Sequence, residues 1–305
     1  MLASMFELIA APFTPLKADG ELNLAAVEPL AAHLKSNRVD GILVAGSTGE
    51  GPSLTSEERR KLAQQWVEVG QGLRVIIQVG HSSPAEAAAL ARHAQEIGAD
   101  GVCAAPPSWF PINSADQLTV TCEQIAAGAP ELPFLYYHIP ALSAVSVPML
   151  QFLDCARGRI PNFAGIKYTH LDPVDFQACM REHGEDVEMM WGCDEALIAG
   201  LGMGARAAVG STYNFAAPIY RQLIAAYNSG DRKLATLCQT RAALLVETLA
   251  SVGYSGAAKA LMSQLGVDCG PVRAPLIAIS DDARAKLPGM LRNIGFDDWM
   301  REAVA

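Results

Sequence analysis

Short, nearly unbroken apolar runs alternate along the first three quarters of the chain with longer stretches whose apolar residues recur every three to four positions. Eight runs have strand character: Leu8–Ala11, Gly41–Ala45, Arg74–Val79, Gly101–Ala105, Pro133–His138, Ala164–Tyr168, Glu188–Gly192 and Ala207–Gly210. Stretches between them, such as Ser56–Val69, Pro84–Ile97, Ala115–Ala127 and Val147–Ala156, carry the helical period. A strand that is apolar on both faces must be covered on both, and a helix between successive strands makes them parallel. Eight such units within roughly 230 residues predict closure into a (β/α)8 TIM barrel. An open, doubly wound sheet would call for a glycine-rich dinucleotide turn after the first strand. Pro12-Phe13-Thr14-Pro15 follows instead.

Helix starts agree with this layout. Thr55-Ser56-Glu57-Glu58 and Ser83-Pro84-Ala85-Glu86 set a hydroxyl before an acidic or proline-led first turn. After Asn228-Ser229-Gly230 the strand signals stop, and the remainder reads as helices over Arg232–Ser251, Gly256–Leu265 and Asp281–Ala303. The expected organisation is a catalytic barrel over 1–229 and a C-terminal helical domain over 230–305.

Composition narrows the function classes. Half of the 305 residues are hydrophobic, 18% are charged and the net charge is −9, so the chain can bury a large core. An acidic surface argues against nucleic acid and anionic membranes as partners. Seven cysteines, an odd number without a Cys-x-x-Cys pair, fit reduced thiols better than disulfides or a zinc site. The N-terminal MLASMFELIAAPFTP lacks a basic leader, and no apolar run is long enough to span a bilayer. A cytoplasmic enzyme is expected.

Chemistry in a (β/α)8 barrel sits at the C-terminal ends of the strands. Lys167 is the only one of seven lysines inside a predicted strand, between Ile166 and Tyr168. Alternation sends it either toward the barrel axis or toward the covering helices. Burial disfavours a charged amine, and a neutral amine is the nucleophile that attacks a ketone. The competing assignments are a buried structural ion pair and a lysine whose head reaches the rim. Gly46-Ser47-Thr48-Gly49 after strand 2 offers backbone N–H groups and two hydroxyls to an anion such as a carboxylate, although an ordinary loop has the same composition. Tyr137 is a potential acid/base beside a cationic iminium, whereas Tyr136, facing the other way, suits the core. Asp194 and Glu195 could hold substrate hydroxyls or favour a helix dipole. His81, His138 and His170, also at strand ends, raise the alternative of a metal-dependent hydrolase, although strand 1 carries no His-x-His pair.

Taken together, GSTGEGPSLTSEER after strand 2, the Tyr-x-x-Pro in YHIPAL, GIKYT at strand 6 and GPVRAPL near the C-terminus make the chain similar, over essentially its whole length, to a known family. It resembles the pyruvate-dependent class I lyases of the dihydrodipicolinate synthase / N-acetylneuraminate lyase family. HIPAL followed by Ser143, where the synthase branch carries an arginine, together with GCDE and GSTYN, resembles the branch that cleaves sialic acid. The resemblance implies that Lys167 forms an iminium with the C2 ketone and Tyr137 takes the proton of the C4 hydroxyl. It implies that Ser47 and Thr48 bind the carboxylate, and that Thr169, Gly192, Asp194, Glu195 and Ser211 contact the sugar chain. The implied reaction converts N-acetylneuraminate to N-acetylmannosamine and pyruvate without metal or organic cofactor, in a homotetramer. A 4-hydroxy-tetrahydrodipicolinate synthase or a 2-keto-3-deoxy sugar acid aldolase is the alternative within the family, and a non-catalytic ligand sensor the alternative outside it. Four departures stand out: Trp109-Phe110 replaces a tyrosine pair, Ala144 stands where glycine is common, His170 is expected to reshape the sugar end of the pocket, and Cys193 separates two expected ligands.

Overall fold

The computed structural model describes residues 6–304. Eight strands, β1 (Glu7–Ala10), β2 (Gly41–Val44), β3 (Arg74–Gln78), β4 (Gly101–Ala104), β5 (Phe134–His138), β6 (Phe163–Tyr168), β7 (Glu188–Trp191) and β8 (Ala207–Gly210), pair in parallel and in sequence order. β8 closes on β1, from Glu7 opposite Ala207 to Ala10 opposite Gly210. The chain is a (β/α)8 TIM barrel with a C-terminal helical extension. Five strands stop one residue short of the apolar run that announces them. At Ala45 the cause is visible: φ is 56°, and the backbone leaves the ladder there.

Helices α1 (Val27–Ser36), α2 (Ser56–Val69), α3 (Pro84–Glu96), α4 (Ala115–Ala126), a single turn α5 (Pro140–Ser143), α6 (Met149–Arg159), α7 (Pro173–His183), a short α8 (Leu197–Gly202) and α9 (Tyr213–Ser229) surround the strands. The cap of α2 is a full capping box: Glu58 N–H donates to Thr55 Oγ1 while Thr55 N–H donates to Glu58 Oε2.

Strand alternation divides the interior in two. One set of side chains, including Leu8, Ile42, Tyr136, Ile166, Tyr168 and Trp191, packs outward against the helices. The other, including Ile9, Leu43, Ile76, Leu135, Tyr137, Met190 and Val209, fills the barrel. Lys167 lies between two outward residues, so its side chain runs inward. At the opposite end, Arg74 bridges Glu7 and Glu188 at 2.7 and 2.8 Å.

Beyond the barrel come α10 (Arg232–Ala250), α11 (Tyr254–Gln264), α12 (Asp281–Ile294) and α13 (Phe296–Val304). The single helix expected over Asp281–Ala303 is two. Gly295 adopts φ 84°, a left-handed cap that ends α12 and redirects the chain. Among the described residues no helix is long and apolar enough to cross a membrane.

Candidate active site

The mouth of the barrel holds a cavity of about 360 Å³. Eight of the nine residues singled out as catalytic or substrate-binding line it: Thr48, Tyr137, Lys167, Thr169, Gly192, Asp194, Glu195 and Ser211. The ninth, Ser47, joins through its hydroxyl, 3.4 Å from the Tyr137 phenol oxygen.

Lys167 and Tyr137 meet because β5 and β6 are neighbours in register, Tyr137 directly opposite Lys167. Lys167 is 4% exposed, and its Nζ sits 3.9 Å from the centroid of the Tyr137 ring. The amine forms no ion pair among the described residues; the buried cation that does, Lys259, lies elsewhere. That separates Lys167 from the structural alternative: it is held by an aromatic face and left open toward the cavity.

The Ser47–Thr48 turn is bracketed by two non-glycine residues in the left-handed region, Ala45 and Glu50, both at φ 56°. Such strain persists where surrounding contacts overdetermine it. Gly51 has no freedom to be anything else: a Cβ there would fall 1.9 Å from the Ala45 carbonyl oxygen.

Across the cavity, Asp194 is 5% exposed and Glu195 is exposed at the rim. Asp194 Oδ2 accepts from Thr212 N–H at 2.8 Å, Thr212 Oγ1 at 2.7 Å and Ser211 Oγ at 3.4 Å. Its other oxygen rests on Gly210, where a Cβ would come within 1.9 Å of Oδ1. Burial pushes the carboxyl up to about 6 despite the bonds from Thr212. Thr169 Oγ1 is buried without a hydrogen-bond partner, and Gly192 makes room for it, since a Cβ at 192 would lie 2.1 Å away. An unpartnered buried hydroxyl at a cavity wall is available to a ligand.

One expectation changes. His170 is exposed and does not line the cavity; it packs edge-on against His138 at 5.6 Å on the outer side, because strand parity turns 138, 168 and 170 away from the axis. His138 is buried among these rings and pushed down to about 4 by desolvation. His81 instead caps a loop, its Nδ1 accepting from Ser83 N–H at 3.0 Å. Cys193 does line the cavity, but burial pushes its thiol up to about 12, so at neutral pH it is not a thiolate.

The extension contributes a wall that pattern analysis missed: Val246 and Ala250 of α10 and Tyr254 of α11. The Tyr254 hydroxyl lies 2.6 Å from Ser211 Oγ. Gln239 of α10 clasps the β7 loop, donating to the Asp194 carbonyl at 3.1 Å and accepting from Ile198 N–H at 2.8 Å. Nothing local marks these residues, since all lie on ordinary helical stretches.

Comparison with known proteins bears on this geometry. The sequence profile of the dihydrodipicolinate synthetase family matches residues 4–294. The chain belongs to that family. Among its members, N-acetylneuraminate lyase of Gallus gallus is 37% identical over 297 residues, covering 95% of this chain and 96% of that one. The Homo sapiens N-acetylneuraminate lyase is 38% identical over 293 residues, covering 93% and 92%. A solved N-acetylneuraminate lyase from Proteus mirabilis superposes with a TM-score of 0.93 at 37% identity, covering 96% of this chain and all of that one.

Proposed function

We propose that this protein is a class I carbon–carbon lyase that cleaves N-acetylneuraminate to N-acetylmannosamine and pyruvate. The observation that carries the reading is a buried lysine without a counter-ion, laid over a tyrosine ring, in a cavity whose far side presents a carboxylate and hydroxyls. Among the described residues no arginine lines that cavity, which favours a polyol substrate over a dicarboxylate. The relatives named N-acetylneuraminate lyase support the same choice.

The chemistry follows from the residues. Lys167 Nζ adds to the C2 ketone and water leaves, giving an iminium that draws electrons from C3. The C4 hydroxyl proton passes to the Tyr137 oxygen while the phenol's own proton moves to Ser47 Oγ, 3.4 Å away, and the Ser47 hydroxyl releases its proton to the substrate carboxylate it holds; the same relay runs back to supply the proton at C3. The C3–C4 bond then breaks: C4 becomes the aldehyde carbon, and the bonding pair forms an enamine with the lysine nitrogen. Protonation at C3 and hydrolysis release pyruvate and restore the amine. Ser47 and Thr48 hold the carboxylate; Thr169, Gly192, Asp194, Glu195 and Ser211 face the sugar chain. The lysine supplies the electron sink, so the scheme invokes no cofactor. The catalytic unit spans 1–229, with 230–305 as the extension that completes the wall.

Borohydride reduction in the presence of pyruvate, followed by peptide mapping, is expected to yield one adduct, on Lys167. An adduct elsewhere, or none, would overturn the mechanism. Pyruvate release from N-acetylneuraminate is expected to exceed that from 2-keto-3-deoxygluconate, with no turnover of pyruvate plus aspartate semialdehyde. The reverse order would move the protein to another branch.

A homotetramer fits the surface. Trp109 and Phe110 after β4 are 83% and 79% exposed, and Leu142 in α5 and Leu171 after β6 are 65% and 61% exposed. Exposed apolar side chains of this size are suited to burial in a subunit interface. Seven free cysteines fit a reducing cytoplasm.

A further inference from the structure

A second buried lysine, Lys259 of α11, is 2% exposed and lies outside the cavity. Its ammonium donates to the Thr14 carbonyl at 2.9 Å and the Pro271 carbonyl at 2.7 Å, and pairs with Glu50 Oε1 at 2.6 Å. Glu50, 3% exposed, spends its other oxygen on the backbone N–H of Arg273 at 2.6 Å. Burial pulls Lys259 down, and the Glu50 charge works against that pull. A buried ion pair is weak as a source of stability, because desolvation offsets most of the attraction. Its position points to a geometric task.

The surroundings show which geometry is set. Glu50 is the residue immediately after Ser47-Thr48-Gly49, and it is in the left-handed region that a glutamate seldom adopts. Its N–H donates to the Ser47 carbonyl at 3.1 Å, and the Gly51 N–H donates to the Gly46 carbonyl at 3.1 Å. Thr14 Oγ1 donates to the Gly49 carbonyl at 2.5 Å. The contacts therefore form a ring: Lys259 grips Glu50 and Thr14, and both of these grip the turn. Arg273 secures the same patch from outside, with Nη1 and Nη2 on the two Glu58 oxygens at 2.9 and 2.8 Å. The C-terminal extension thus reaches the outer side of the turn whose inner side faces the cavity.

We propose that Glu50 and Lys259 are positioning residues for the substrate carboxylate, clamping the Ser47–Thr48 turn into its ligand-binding shape. The inference rests on the proposed function, in which that turn binds the carboxylate of a 2-keto acid. Neither residue touches the reacting atoms. Their loss should weaken occupancy of the site much more than the chemistry at Lys167.

The test is borohydride trapping as a function of pyruvate concentration, with the full-length protein and the variants E50Q, T14V and the double variant E50Q/K259M. The double variant leaves no unpaired buried charge, so it keeps the test open should E50Q alone fail to fold. The expected result is a half-saturating pyruvate concentration raised about tenfold or more in E50Q and in the double variant, with T14V raised less. The plateau of Lys167 adduct should stay near that of the wild type. A merely structural role would lower the melting temperature and leave half-saturation where it was. Half-saturation unchanged in the folded double variant, or a lost plateau with unchanged half-saturation, would overturn the clamp alone. No Lys167 adduct in the wild type would overturn the proposed function and the clamp with it.

Discussion

Asp194→Asn offers a sharp test of how the far end of the cavity works. The asparagine carbonyl oxygen can take the place of Oδ2 and keep both bonds from Thr212, so the loop should stay folded. The amide nitrogen then occupies the place of Oδ1, beside Gly210 at the cavity wall, and an acceptor there becomes a donor. A hydrogen bond to a charged partner is worth about 1.5–3 kcal/mol, which corresponds to roughly 10- to 150-fold in kcat/KM for N-acetylneuraminate. Protonation of Asp194 would act in the same direction. With its carboxyl at about 6, the wild type should lose affinity for the sugar acid as the pH falls through that value, and the variant should show no such step.

Stability supplies an independent readout. A carboxyl raised from 3.8 to about 6 binds its proton more tightly folded than unfolded. Its contribution is therefore most favourable below about pH 4, worsens as the pH rises to about 6, and stays unfavourable above, by on the order of 3 kcal/mol. Asp194→Asn should melt higher than the wild type at pH 8, and the difference should vanish near pH 4. His138 has the opposite slope: lowered from 6.5 to about 4, it favours the folded state fully above 6.5 and less as the pH falls toward 4. The two trends oppose in the wild type, so acid melting should be steeper in the variant. The assay is calorimetry across pH 4–8 together with steady-state kinetics on N-acetylneuraminate. An unchanged KM, or the same pH step in both proteins, would refute the assignment of Asp194 as a sugar acceptor.

Tyr137→Phe should lower kcat by about 10²- to 10⁴-fold while retaining the borohydride adduct on Lys167, which stopped-flow and mass mapping would separate. Iodoacetamide should modify Cys193 slowly at pH 7, since its thiol stands at about 12; rapid inactivation tracked to the Cys193 peptide would contradict that. Ala144 caps α5 at φ 57°, a position that disfavours a Cβ. Ala144→Gly should therefore raise stability by about 1 kcal/mol in urea unfolding, and a loss would show that packing at the methyl outweighs backbone strain. Trp109→Ser with Phe110→Ser should lower the mass found by sedimentation equilibrium; an unchanged mass would count against the proposed subunit contact through these side chains.

What the sequence determines by itself is local and periodic. Unbroken apolar strands, capped helices and their alternation suffice for the barrel, and the strand-end rule then limits the chemistry to a few residues. Lys167 stands out for a simple reason: a charged side chain inside an apolar strand is costly, so its presence demands an account. The family resemblance in GSTGEGPSLTSEER, YHIPAL and GIKYT extends that account to Tyr137 and the Ser47–Thr48 turn. Tertiary structure decides everything that depends on distance across the fold. Parity alone leaves Lys167 pointing either way, and only its register opposite Tyr137 sets it inside the barrel. Parity likewise turns His170 outward, away from the pocket it was expected to shape. Tyr254, Gln239 and Lys259 sit on unremarkable helices more than 40 residues from the strand ends they serve, and no periodicity reports contacts of that kind. Buried charges obey the same limit. Whether Glu50 is a solvated loop residue or the hub of a clamp depends on what the C-terminal extension brings against it.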